Sequence, residues 1–168
     1  MRVWTIAFMA AAVLPVTATP AIAQHEVILV RHAELPGTAM ADPKSMPLSA
    51  EGKARAQRLA GMLKDSAVAA IYVTDFARTN QTAQPLANEI GRKPTVVPKG
   101  DPLELVERMR KENASQVVLL VGHTDTLPGL IKALGVPLDV KIDAQDYGNI
   151  FVVTPKSQGT PGFLRLRY

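Results

Sequence analysis

A chain of 168 residues, 47% hydrophobic and 20% charged, is sized and composed for one packed domain, which excludes an intrinsically disordered protein. Its formal net charge of +4 suits an anionic ligand, but no dense Lys/Arg run interleaved with aromatics marks a nucleic-acid surface. The absence of cysteine excludes disulfides, thiol catalysis and cysteine–metal sites together.

At the amino terminus, Arg2 precedes an uncharged, mostly apolar run from Val3 to Val16, and Ala21-Ile22-Ala23 offers small residues to a signal peptidase. The expectation is a signal peptide over 1–23, cleaved after Ala23, a periplasmic or secreted destination, and a mature domain over 24–168. Pro15, Thr17, Thr19 and Pro20 keep the run short of the roughly 20 apolar residues a transmembrane helix needs. No stable membrane insertion of the mature chain is therefore expected.

Val27-Ile28-Leu29-Val30 reads as a buried strand. Ala56, Leu59, Ala60 and Leu63 then recur at helical spacing behind Ser49, a capping residue. Val68 to Val73 is a second strand, and Ala83, Leu86, Ala87 and Ile90 mark a second helix stopped by Gly91. A short strand is expected at Thr95-Val96-Val97. Asp101-Pro102-Leu103-Glu104 combines a capping Asp, Pro at the first helical position and a Glu placed to return to the cap. Val117 to Val121 is the strongest strand signal. Leu127, Leu130, Ile131 and Leu134 give a further helix ending at Gly135, and strands are expected over Ile150–Val153 and Phe163–Leu166, the last nearer an edge. Apolar strands alternating with amphipathic helices predict a three-layer α/β/α sandwich with a mostly parallel central sheet.

Ligands of open α/β sheets bind beyond the carboxyl ends of the strands. The residues leaving the first strand are Arg31 and His32, the second strand leads to Arg78, and the strong strand delivers Gly122-His123-Thr124-Asp125. Guanidinium groups grip phosphate oxygens in a bidentate fork, and neutral imidazole is a competent nucleophile. One histidine can attack phosphorus while the other joins the arginines around the equatorial oxygens. Arg78 at a helix amino terminus opposes the helix dipole, a cost that an anionic partner explains.

The stretch Val30-Arg31-His32-Ala33-Glu34 resembles the signature of the histidine phosphatase superfamily, the phosphoglycerate-mutase-like proteins. In order after it come Leu48-Ser49-Ala50-Glu51-Gly52, Arg78-Thr79 through Gln81-Thr82-Ala83, Val121-Gly122-His123, and a late strand from Tyr147 to Val153. The resemblance implies hydrolysis of phosphate monoesters with His32 becoming phosphohistidine, Arg31, Arg78 and His123 forming the phosphate pocket, and neither metal nor organic cofactor. Two positions depart from the family pattern. Ala33 stands where Gly is frequent, and the acid that often follows the second histidine directly comes one residue late, at Asp125. The proton donor thus stays open between Asp125, Glu104, Asp101 and no dedicated acid.

The expected partner is a small phosphorylated substrate, and oligomeric state leaves no mark in the sequence. Glu34 orients Arg31 or lies in the loop; Thr38 and Thr124 are plain loop residues or donors to the bound phosphate; Arg55 and Arg58 read as solvent-facing. Two rival readings are a metal-dependent hydrolase built on His32, His123 and Asp125, and a catalytically silent phosphate-binding protein.

Overall fold

The computed structural model describes residues 26–37 and 40–168. The signal-peptide reading of 1–23, and Thr38, lie outside the described residues. Six strands and four helices follow in order: β1 (Glu26–Arg31), α1 (Ala50–Leu63), β2 (Val68–Thr74), α2 (Ala77–Glu89), β3 (Thr95–Val97), α3 (Pro102–Glu112), β4 (Val117–Gly122), α4 (Leu127–Ala133), β5 (Asn149–Thr154) and β6 (Gly162–Arg167).

The sheet runs β3-β2-β4-β1-β5-β6. β1 pairs in parallel with β4, as does β2 with both β3 and β4, while β5 is antiparallel to β1 and to β6. Successive strand residues face opposite ways, so the core divides cleanly between the two faces. Val27, Leu29, Val118 and Leu120 meet Val106 and Met109 of α3 and Leu127, Leu130 and Ile131 of α4. Ile28, Val30, Leu119 and Val121 meet Leu59 and Leu63 of α1 and Ala83 and Leu86 of α2. Three layers follow from that alternation, with helices on both faces of a mostly parallel sheet.

Local chemistry sets the helix ends. Ser49 caps α1 by accepting a hydrogen bond from the Gly52 amide at 3.0 Å. Asp101 caps α3 through the Leu103 amide at 2.8 Å, with Pro102 at the first helical position. Gly91 and Gly135 follow α2 and α4 with φ of +64° and +95°, a conformation costly for any side chain. Gly52 answers a different need. A Cβ there would sit 2.3 Å from the Glu34 carbonyl oxygen, so the first turn of α1 lies directly on the chain leaving β1.

The chain leaves β1 toward the α1 face and leaves neighbouring β4 toward the α4 face. Such a divergence opens a crevice at the carboxyl ends of the two central strands.

Candidate active site

β1 and β4 are in register, Arg31 opposite Gly122, and the His32 amide donates to the Gly122 carbonyl at 3.0 Å. His32 and His123 therefore emerge side by side, their ring centroids 5.3 Å apart. Both are buried, at 5% and 4% relative exposure. β2 ends at Thr74 beside them, and α2 begins soon after at Ala77, with Arg78 its second residue. Arg31, the last residue of β1, completes the set. The four residues expected to converge do so.

His32 Nδ1 lies 2.8 Å from the Ala33 carbonyl, which can only accept, so Nδ1 carries the hydrogen and Nε2 keeps its lone pair. Burial drives the His32 pKa down to about 3; the Ala33 hydrogen bond opposes this, and the charges of Arg78 and Arg31 reinforce it. His32 is thus a neutral imidazole with one free nitrogen throughout the neutral range. His123 is lowered to about 4, by burial first and then by Arg78 and Lys99. Its Nε2 is 2.9 Å from Thr74 Oγ1 and its Nδ1 is 3.4 Å from Arg78 Nη2.

The two guanidinium groups are fixed from outside and open toward the site. Arg31 Nη1 donates to the carbonyls of Asp143, Ala144 and Asp146 at 3.2, 2.7 and 3.4 Å, and its plane lies 3.8 Å from the Tyr147 ring. Arg78 Nη1 donates to the Pro43 carbonyl at 2.8 Å, and its plane covers Phe76 at 4.2 Å. The Nε–H of each is buried with no hydrogen-bond partner. Burial pulls both guanidinium pKa values below the ordinary value, yet a guanidinium keeps its proton at any working pH. One buried and one half-buried cation, each with an orphaned buried donor, beside two neutral imidazoles make an anion site.

Asp125 lies at the rim, 65% exposed, with Oδ2 2.5 Å from Lys99 Nζ. Burial raises its pKa, but the Lys99 hydrogen bond and charge outweigh that, so the carboxyl sits below its ordinary value. Asp101 is occupied as the α3 cap, and Glu104 lies exposed on the same first turn. Among the described residues no three His, Asp or Glu side chains are clustered as metal ligands.

Some residues stand elsewhere than expected. Arg55 is not solvent-facing: its side chain is 15% exposed, grips Glu34 at 2.5 Å and donates to the Tyr168 carbonyl at 2.9 Å. Glu34 is therefore tied to α1 rather than to Arg31. Arg58 is exposed as expected. Sequence reading passed over Tyr147, which flanks both Arg31 and His32, and Phe76, whose ring is 4.9 Å from that of His123. Tyr147 had entered only as the start of the late-strand stretch and Phe76 not at all, and both lie in loops at the carboxyl edge of the sheet. Thr82, inside a quoted motif, accepts from the Ala33 amide at 2.9 Å and so ties α2 to the turn holding His32.

Residues 27–99 match the family model "Histidine phosphatase superfamily (branch 1)". No curated protein sequence matches the chain. Among solved structures, the protein histidine phosphatase SixA complexed with tungstate superposes with a TM-score of 0.67 at 19% identity, covering 84% of this chain and 96% of that one. Phosphoserine phosphatase from Entamoeba histolytica, in complex with 3-phosphoglyceric acid, gives 0.67 at 16% identity, covering 86% and 97%. A mycobacterial glucosyl-3-phosphoglycerate phosphatase gives 0.65 at 14%, covering 85% and 97%. At these identities the structural likeness speaks for the fold.

Proposed function

We propose that the chain is a member of the histidine phosphatase superfamily, whose model matches residues 27–99, and that it hydrolyses phosphate monoesters through a phosphohistidine at His32. The carrying observation is the pair of buried, unpartnered Nε–H donors on Arg31 and Arg78 beside two neutral imidazoles. In the first step His32 Nε2 bonds to phosphorus, the bond from phosphorus to the ester oxygen breaks, and the alcohol departs. In the second, water bonds to phosphorus, the P–N bond breaks, and phosphate leaves with His32 restored. Arg31, Arg78 and His123 surround the equatorial oxygens, where stabilising accumulated charge does most of the catalytic work.

Asp125 is the proposed proton donor to the leaving oxygen. Held below its ordinary pKa by Lys99, it is a weak proton source near neutrality, which favours substrates whose leaving group needs little protonation. The reading assigns the reaction no metal. Chelation followed by zinc addition tests this: loss of activity that zinc restores would sink it.

We further place this activity in the cell envelope, on the amino-terminal pattern of Arg2, the Val3–Val16 run and Ala21-Ile22-Ala23. An intact mass beginning at Gln24 in an envelope fraction is the expected result; a cytoplasmic, uncleaved protein would overturn that placement.

Rapid quench with a radiolabelled phosphate ester tests the mechanism. An acid-labile, base-stable adduct is expected, and His32→Ala should abolish it together with turnover. Turnover by the wild type without that adduct would remove His32 as nucleophile; binding without turnover would favour a silent phosphate-binding protein.

A further inference from the structure

Hydrogen-bond polarity around His123 settles more than its position. Arginine only donates, so the Arg78 Nη2 contact at 3.4 Å requires a lone pair on His123 Nδ1. The ring hydrogen then belongs on Nε2, 2.9 Å from Thr74 Oγ1. The threonine side agrees independently. Thr79 Oγ1 has one hydrogen and lies 3.0 Å from the Thr74 carbonyl and 2.9 Å from the Phe76 carbonyl, which cannot donate. With that hydrogen committed, Thr79 Oγ1 accepts from Thr74 Oγ1 at 3.0 Å, and Thr74 Oγ1 is left to accept from His123 Nε2–H. Every link in the chain is satisfied with one polarity, and both threonines are buried.

We propose that Thr74 and Thr79 are positioning residues that lock His123 as its Nε2–H tautomer, so that binding a phosphoryl dianion requires Nδ1 to take up a proton. The proposal rests on the phosphohydrolase reading of the same site. A dianion facing the Nδ1 lone pair is repelled, whereas the same oxygen against Nδ1–H receives a charge-assisted hydrogen bond. A half-turn of the ring about Cβ–Cγ is no alternative, because it would put Cε1 in place of Nε2 opposite Thr74 Oγ1 and lose that hydrogen bond. Arg78 Nη2 is released from Nδ1 by the same event and becomes available to the anion. Binding therefore substitutes one acceptor for another on Arg78 and adds one proton to the site.

The groups facing His123 act on this uptake from every side. Arg78 on α2, Lys99 after β3, and Arg31 and His32 at the end of β1 oppose it; Asp125 after β4 and Asp75 after β2 favour it. The two carboxylates are each paired with a lysine, Lys99 and Lys44, so neither replaces the threonine anchor.

Long-range 1H–15N spectra of the free protein read the tautomer without any substrate. His123 should show protonated Nε2 and bare Nδ1; a protonated Nδ1 overturns the proposal whatever the activity proves to be. Titration calorimetry with tungstate, in buffers of different ionisation enthalpy at mildly alkaline pH, should report uptake of about one proton per anion bound. Thr74→Ser should keep both signatures. Thr74→Val should lose the Nε2–H signature, lower the proton uptake and reduce kcat/KM by roughly tenfold. Unchanged tautomer and uptake in Thr74→Val would refute the anchor. If that variant does not fold, the wild-type tautomer and proton count still decide. Failure of tungstate to bind at all would count against the phosphohydrolase reading and leave the tautomer assignment to stand or fall on the spectra.

Discussion

Arg78 divides one guanidinium between three duties: Nη1 anchors the Pro43 carbonyl, Nη2 meets His123, and Nε waits without a partner. Truncation removes all three at once. Arg78→Ala should therefore cost about 3–4 kcal/mol of transition-state stabilisation, the scale of a lost oxyanion donor, measured as kcat/KM on a phosphate ester. A loss below about tenfold would count against a phosphate clamp. The imidazoles make a second expectation at this scale. Their pKa values of about 3 and about 4 lie below the ordinary histidine value, so the unfolded chain binds protons first as pH falls. The stability they confer is complete above about pH 6.5 and is lost progressively toward pH 3–4, amounting to up to about 2 kcal/mol per ring by pH 5. Urea unfolding of the wild type at pH 7 and pH 5, beside His32→Ala, checks this; the variant should lose less. The residues bearing strand-end chemistry, Arg31, His32, Arg78 and His123, were legible because apolar runs place strand ends. Tyr147, Phe76 and the Thr74–Thr79 pair were not, because an aromatic or a hydroxyl in a loop acquires its role only from neighbours distant in sequence.

At the level of elements, close packing where α1 meets the exit of β1 is the sharpest constraint. Gly52→Ala would drive a methyl into the Glu34 backbone, with its oxygen 2.3 Å and its nitrogen 2.9 Å away. Backbone cannot swing aside as a flexible side chain can, so a loss of about 3 kcal/mol in urea unfolding is expected, together with reduced kcat, since His32 lies two residues upstream. Thr82→Val tests the neighbouring tie from α2. The isosteric change strands the buried Ala33 amide and should cost about 1–3 kcal/mol. The elements themselves were readable nearly to the residue, because Ser49, Asp101, Pro102, Gly91 and Gly135 each act through local backbone geometry. The loop between α4 and β5 was opaque. Its carbonyls hold Arg31, and backbone carbonyls carry no sequence signature.

For the whole molecule, a net positive charge, kept when Arg2 is removed, implies electrostatic attraction of phosphate esters to the anion site. Raising ionic strength from about 0.01 M to about 0.15 M shortens the screening length from about 30 Å to about 8 Å. kcat/KM should then fall severalfold while kcat stays nearly constant; equal losses in both would point away from steering. Parallel pairing of β1 with β4 has one more consequence. Because the His32 amide is hydrogen-bonded to Gly122, the two histidines can separate only if the central strands of the sheet part. Enzymes whose chemistry sits on a mobile flap lose activity on warming long before they melt. Here heat inactivation and the loss of near-ultraviolet circular dichroism should follow one curve, and the His32 amide should exchange with deuterium only through global opening.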